Sequence, residues 1–200
     1  GHTNIVLIKE HGKYVSLGQT RDDAVGEAFD KVARAMGLPY PGGPVIDKLA
    51  REGHGENIPL PRAWLEEGSY DFSFSGLKSA VLNYLNKQKM QNLPIVQADV
   101  AAAFQESVVE VLVTKTMRAA EEYGMDTILM AGGVAANSAL REALAAECAK
   151  AGKKLYYPPL EYCTDNAAMI GAAAYYKALR GDFADLTLNA VPQLPFSAII

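Results

Sequence analysis

Residues 127–157 read in order as strand, glycine turn, helix and strand. Thr127-Ile128-Leu129-Met130 is a short apolar run, Ala131-Gly132-Gly133-Val134 is a turn, and helical spacing runs from about Asn137 to Ala151 before a second run, Lys154-Leu155-Tyr156-Tyr157. Two such strands joined through a helix predict a parallel pair with a right-handed crossover. The chain is therefore expected to be α/β. With 200 residues, half of them apolar, it can bury a substantial core as one large domain or two small ones.

The rest of the chain supports a mixed architecture. Residues 3–9 and 13–20 are rich in Val, Ile, Leu, Thr and Tyr and flank His11-Gly12-Lys13, the pattern of a β-hairpin. After Asp22-Asp23, the residues Val25, Phe29, Val32, Ala33 and Met36 recur at helical spacing until Gly37 and Pro39 stop them. The proline- and glycine-rich stretch Leu38–Pro44 predicts an irregular loop, with Pro44 in the first turn of a helix through Ile46 and Leu49. Residues 53–70 read as loop. Phe72–Gly76 is strand-like and feeds a helix through Leu77, Val81 and Leu85. The longest helix is expected between Val96 and Tyr123, where Val100, Phe104, Val108, Val111 and Leu112 fall at three- and four-residue steps. Thr164 or Asp165 is expected to cap a last helix ending near Leu179, and a proline-containing irregular tail should follow.

Charge and cysteine content narrow the function. A formal net charge of -4 argues against a surface that holds nucleic acid by charge alone, so any RNA contact should be local or shared with a partner. Two cysteines, Cys148 and Cys163, are too few for a disulfide framework and have no zinc-type spacing around them. No apolar run is long enough to span a bilayer. These features suggest a cytoplasmic chain. Its start, Gly1-His2-Thr3, lacks Met and reads as the middle of a motif.

Several segments could carry chemistry. Gly132 and Gly133 stand between a strand and a helix, where backbone N–H groups and a positive helix terminus suit a phosphate; a tight turn needing glycine only for its backbone angles explains the same letters. Neither the Walker lysine motif nor the Rossmann glycine spacing is present. Asp23, Glu27 and Asp30 stack on one helical face, to be answered by a ribose or metal-bound substrate, or by Lys31 and Arg34 at i+4. Pro41-Gly42-Gly43-Pro44 with Asp47 offers close backbone approach and a carboxylate for sugar hydroxyls. Lys78, after Phe72-Ser73-Phe74-Ser75-Gly76-Leu77, faces either an anion or solvent. Asp165, in Cys163-Thr164-Asp165-Asn166, fits a metal ligand or an ordinary cap. His2, His11 and His54 have no metal-binding spacing among themselves.

Taken in order, Gly1-His2-Thr3, Thr20–Gly43 with Gly26-Glu27-Ala28-Phe29-Asp30-Lys31-Val32-Ala33, Tyr40-Pro41-Gly42-Gly43-Pro44, Phe72–Lys78, Ala131–Asn137 and Cys163–Met169 resemble the TsaD family over nearly the whole chain. The resemblance implies an actin-like ATPase fold, partial here: residues 1–40 would be the end of the first lobe or an inter-lobe segment, and residues 41–200 the second lobe. It implies that Gly1, Asp30, Gly43, Asp47, Gly132, Gly133 and Asn137 bind an adenylate-type nucleotide. It also implies that Asp165 is one ligand of a divalent iron or zinc ion, whose two histidine ligands belong to an HxxxH motif not in this chain.

The implied reaction is transfer of a threonylcarbamoyl group from threonylcarbamoyl-AMP to the adenosine beside the anticodon of tRNA, with a TsaB-like paralogue and a TsaE-like ATPase as partners. The isolated chain, lacking the metal histidines, is expected to fold or form a homodimer rather than to catalyse. Three rival readings are weaker. A peptidase would need HExxH or a complete zinc site, a sugar or carboxylate kinase would need a base in the first lobe, and a scaffold has no use for Asp165, Asn137 and the Pro41–Pro44 loop.

Overall fold

A computed structural model describes residues 1–191. The chain is α/β, with six helices and two small sheets among those residues. The part of the tail beyond residue 191 lies outside them.

β1 (Asn4–Glu10) and β2 (Lys13–Gln19) form an antiparallel hairpin in which Ile8 faces Tyr14. Gly12 supplies the left-handed turn residue, with φ at 84°. The ladder shifts register between Ile5 and Val6 and again between Ile8 and Glu10. Phe72 adds a single parallel bridge to Thr20, so the expected strand at Phe72–Gly76 shrinks to one pairing.

α1 (Val25–Ala35) buries Val25, Ala28, Phe29, Val32 and Ala33, which all fall on one stripe. Its first turn is closed by Thr3, whose Oγ1 accepts from the Val25 N–H at 2.9 Å. Gly37, at φ 76°, ends it. α2 (Gly42–Ala50) starts earlier than the proline content suggests: Gly42, Gly43 and Pro44 are already helical. Pro44 needs no N–H in a first turn, where the amides have no intrahelical acceptor. The Tyr40–Pro41 peptide bond is cis.

α3 (Ser75–Met90) begins at Ser75 and packs Leu77, Val81 and Leu85 inward. α4 (Gln97–Glu122) is the longest helix and the scaffold of the core. It packs against α2, α3 and α5, and Phe104 meets Phe29 of α1 edge to face with ring centroids 5.0 Å apart. Burying a side chain of this size contributes roughly 1.5–3 kcal/mol. One hydrophobic cluster runs through α1, α2, α3, α4 and α5 without a break at residue 40.

β3 (Thr127–Leu129) pairs in parallel with β4 (Lys154–Tyr156), as the βαβ pattern predicts, and α5 (Ser138–Lys150) joins them. α6 (Ala167–Leu179) is capped by Asn166, not by Thr164 or Asp165: the Asn166 side-chain oxygen accepts from the Met169 N–H at 3.0 Å. An amide oxygen at the cap satisfies an orphan helix donor as well as a carboxylate does. No residue of α6 is buried. It rests on the hairpin tip, where Tyr176 stacks on His11 with ring centroids 3.6 Å apart and the Arg180 guanidinium donates to the His11 carbonyl. No helix among the described residues is long and apolar enough to cross a membrane.

Candidate functional site

Most of the residues singled out in the sequence meet at one face, built from α1, the start of α2, the turn after β3 and the start of α5. Asp30 on α1 uses Oδ1 to accept the Gly42 N–H at 2.7 Å, so it caps α2 from outside its own segment and leaves Arg34 without the ion pair the spacing suggested. Gly42 is glycine for a packing reason. A Cβ there would lie 2.5 Å from the Ala33 Cβ and 2.9 Å from the Asp30 Cα. Gly43 is different, because a Cβ on it would meet nothing within 4 Å. Its backbone faces open space in the first turn of α2, where N–H groups lack helical partners.

Asp47, one turn further along α2, binds the N-terminus of α5. The Ser138 hydroxyl donates to Oδ1 at 2.8 Å and the Ser138 N–H lies 3.2 Å from both carboxylate oxygens. Asn137 caps the same helix. Its Oδ1 accepts from the Leu140 N–H at 2.9 Å, and its Nδ2 donates to Gln105 Oε1 on α4 at 2.7 Å. Asp30, Asp47 and Asn137 thus all hold helix starts in place, and Asp30 keeps its second carboxylate oxygen out of the bond to Gly42.

The turn between β3 and α5 carries Gly132 at φ 93°, a conformation that L side chains rarely adopt. A short 3-10 turn, Gly133–Ala136, follows it, and a Cβ on Gly132 or Gly133 would meet nothing within 4 Å. This turn leans on the first turn of α1, where a Cβ on Gly26 would sit 3.5 Å from Val134. Gly1 lies at the same end of α1, with a Cβ position 3.4 Å from the Ala24 Cβ. Gly1, Gly26 and the turn from Gly132 to Ala136 therefore surround one helix N-terminus, while Asp30, Gly43, Asp47 and Asn137 continue the face toward α2 and α5. N–H groups at helix starts carry partial positive charge and suit an anion.

The acidic cluster at the entry to α1 is largely answered within the protein. Asp22 accepts from the hydroxyls of Ser73 and Ser75 and from the N–H groups of Phe74, at 2.8 Å, and Ser75. Burial alone pushes Asp22 up, but these bonds outweigh it and hold the carboxyl below its ordinary range. Asp23 is held down chiefly by its bond to Lys31, against the opposing effect of burial, and by Lys78, whose Nζ stands 3.0 Å from Oδ2. Lys31 also reaches Glu27, at 3.5 Å, as the i+4 spacing predicts. Lys78 is thus a half-buried ion-pair partner of Asp23.

Asp165 is not joined to this face by a direct contact. Its side chain is exposed and has no hydrogen bond or ion pair among the described residues. Among those residues there is no group of three or more His, Cys, Asp or Glu that could hold a metal ion. Asp165 fits as a single donor, and these residues do not complete a metal site. Two grooves lie away from the glycine-lined face. An apolar groove of about 430 Å³ runs between β1, the end of α4 and β3, and a shallower one lies between α4 and α5.

Sequence reading missed Gln105, Ser138 and Arg141. Gln105 is a buried polar residue in an otherwise apolar stretch of α4, and that was a usable signal, because a buried amide needs a partner. Ser138 and Arg141 gave none.

A similar α/β architecture occurs within HypF. Full-length HypF in its phosphate- and nucleotide-bound form superposes with a TM-score of 0.56 at 20% identity, covering 83% of this chain and 21% of HypF. The HypF of T. kodakarensis gives 0.52 at 17% identity, covering 80% of this chain and 20% of that protein. Sequence places the chain more narrowly. The family described as TsaD: tRNA N6-adenosine threonylcarbamoyltransferase matches residues 1–172, and the chain belongs to the TsaD family. Relatives called tRNA N6-adenosine threonylcarbamoyltransferase include those of Moorella thermoacetica, 61% identical over 98% of this chain and 58% of that protein, and of Geobacillus thermodenitrificans, 60% identical over 98% and 57%. The protein of Clostridioides difficile is 58% identical over 97% and 57%. The chain spans a little under three fifths of the length of these curated relatives.

Proposed function

We propose that the protein to which this chain belongs transfers the threonylcarbamoyl group of threonylcarbamoyl-AMP to N6 of the adenosine next to the anticodon, in tRNAs that read codons beginning with adenine. The observation that carries this reading is the convergence of Gly1, Asp30, Gly43, Asp47, Gly132, Gly133 and Asn137 on one face, in a chain so similar to transferases of that name. In the reaction N6 attacks the carbamoyl carbon, a C–N bond forms and the acyl–phosphate C–O bond breaks. AMP leaves with the electron pair, and the proton lost from N6 passes to solvent.

In this reading the open backbone of Gly132, Gly133 and Gly43 admits the adenylate close to helix starts, where N–H groups offset phosphate charge before and during departure. Asp30, Asp47 and Asn137 act mainly by fixing those helix starts, and the carboxylate oxygen of Asp30 that Gly42 does not occupy is the group available to a ribose hydroxyl. The fold is part of an actin-like ATPase fold. Residues 41–191 would belong to its second lobe, and residues 1–40, whose α1 shares the same core, to the end of the first lobe or an inter-lobe segment. Asp165 would give one ligand to a divalent iron or zinc ion whose other donors lie outside this chain. Such an ion would polarise the carbamoyl oxygen as a Lewis acid. The assembly would include tRNA, a TsaB-like paralogue and a TsaE-like ATPase in the cytoplasm.

The test is transfer of labelled threonine to tRNA by the full-length protein with its partners. Asp165→Ala should abolish nearly all transfer, and Gly133→Ala should weaken AMP binding. Normal transfer by the first variant contradicts the metal role, and transfer to no tRNA by the wild type with its partners contradicts the function.

A further inference from the structure

Arg141, in the first turns of α5, joins three segments that are separate in sequence. Its Nε donates to the carbonyl of Ala135 in the glycine turn. Its Nη2 donates to the Pro158 carbonyl at 2.9 Å and also stands 3.3 Å from the Cys163 Sγ. The guanidinium carbon Cζ stands over the Tyr157 ring, 4.4 Å from its centroid. A guanidinium is a rigid planar fork, so groups bonded to its different nitrogens are held at set separations and angles, which a flexible ammonium cannot do. Cys163 is buried, and its Sγ lies 3.5 Å from the Pro159 carbonyl as well. The turn that contains it is therefore seated on Arg141 from inside.

Asp165 follows two residues later, exposed and without a protein partner among the described residues, and Asn166 begins α6. No direct contact links Asp165 to the glycine turn. Arg141 makes the link in two bonded steps: from Ala135 to the guanidinium, and from the guanidinium to Pro158 and Cys163. Because the Ala135–Ala136 peptide is trans and planar, the bond to the Ala135 carbonyl also sets the direction of the Ala136 N–H within the glycine turn.

We infer that Arg141 is a positioning residue, which fixes the glycine turn and the turn carrying Asp165 relative to each other; its consequence for transfer rests on the reading given under Proposed function. Arg141 touches neither adenylate nor carbamate in this scheme, and acts only through the segments it bonds.

The experiment uses the full-length protein as wild type, Arg141→Ala, Arg141→Lys and Asp165→Ala. Alkylation of Cys163 by iodoacetamide is followed by peptide mass spectrometry with Cys148 as the internal reference, AMP affinity by calorimetry, and kcat and KM by threonine transfer. Arg141→Ala should speed Cys163 alkylation about tenfold while Cys148 stays unchanged, through local opening of the turn. It should weaken AMP binding about tenfold and lower kcat about 100-fold, with the KM for tRNA unaltered, as misplacement by about 1 Å does. Arg141→Lys should recover part of the AMP affinity through the Ala135 carbonyl but leave Cys163 unprotected, and it serves as the deciding variant if Arg141→Ala fails to fold by circular dichroism. Unchanged Cys163 alkylation in these variants, or unchanged AMP affinity and kcat, overturns the inference. Normal transfer by Asp165→Ala counts against the metal reading alone, since the alkylation and AMP results judge Arg141 without reference to a metal.

Discussion

Asp47 and Ser138, 91 positions apart, are bound by the Ser138 hydroxyl at 2.8 Å and by its backbone N–H at 3.2 Å. The middle of α2 therefore closes the start of α5, and the glycine turn just before Ser138 is held to α2 by that carboxylate. Asp47→Ala should lower stability by about 0.5–2 kcal/mol, the usual range for a lost helix cap. Urea titration should show a lower midpoint with an unchanged slope, and an unchanged midpoint would mean that the carboxylate does not cap α5 in solution.

Gly42 and Gly43 are neighbours with opposite constraints. Gly42→Ala drives a methyl into Ala33 and the backbone of Asp30, and should destabilise by about 1–3 kcal/mol through overpacking. Gly43→Ala meets nothing, so thermal unfolding should stay within about 0.5 kcal/mol of wild type while AMP affinity drops. Equal unfolding temperatures for the two variants would contradict the packing at the α1–α2 crossing.

Asp22 and Asp23 both titrate below their unfolded values. Their contribution to stability is fully present above the unfolded aspartate range, near pH 4, and is lost as pH falls through their lower folded values. Stability measured by denaturant between pH 7 and pH 3 should fall with acid. Replacing Asp22 by Asn should flatten that fall, because one depressed carboxyl no longer has to take up a proton. A curve for Asp22→Asn that keeps the wild-type steepness would argue against the Ser73–Ser75 clamp.

Gln105 is buried and spends its carbonyl oxygen on Asn137. Gln105→Ala leaves the Asn137 amide without that acceptor and should destabilise by about 1–3 kcal/mol. Phe104→Ala, one residue away, removes the ring packed on Phe29 and should destabilise by about 3–5 kcal/mol. Chevron or equilibrium denaturation of both variants checks the ranking, and a larger loss at Gln105 would reverse it.

The hairpin, the long α4 and the parallel β3–β4 pair were legible because each rests on a local period: alternation, three- and four-residue steps, or a glycine turn between apolar runs. The glycines and carboxylates of the candidate site were legible as a set through family resemblance. What their side chains bond was not. Asp30 has a cation at i+4 in Arg34, yet it bonds the Gly42 amide, since the closeness of α1 and α2 is set by Gly42, twelve positions away. Asp22 and Lys78 likewise find partners more than 50 residues distant. Asn166 took the cap expected of Thr164 or Asp165 because all three residue types suit a cap, and one-residue shifts carry no signal in a period.

α6 turns thirteen residues toward the surface and buries none of them. Among the described residues it is tethered by a ring stack and an arginine bond at the hairpin tip, so unwinding it strips nothing from the hydrophobic cluster beneath. Such a helix melts on its own account: its amides should trade hydrogen for deuterium at a pace set by its own fraying, while those of α4 wait for the whole domain to open.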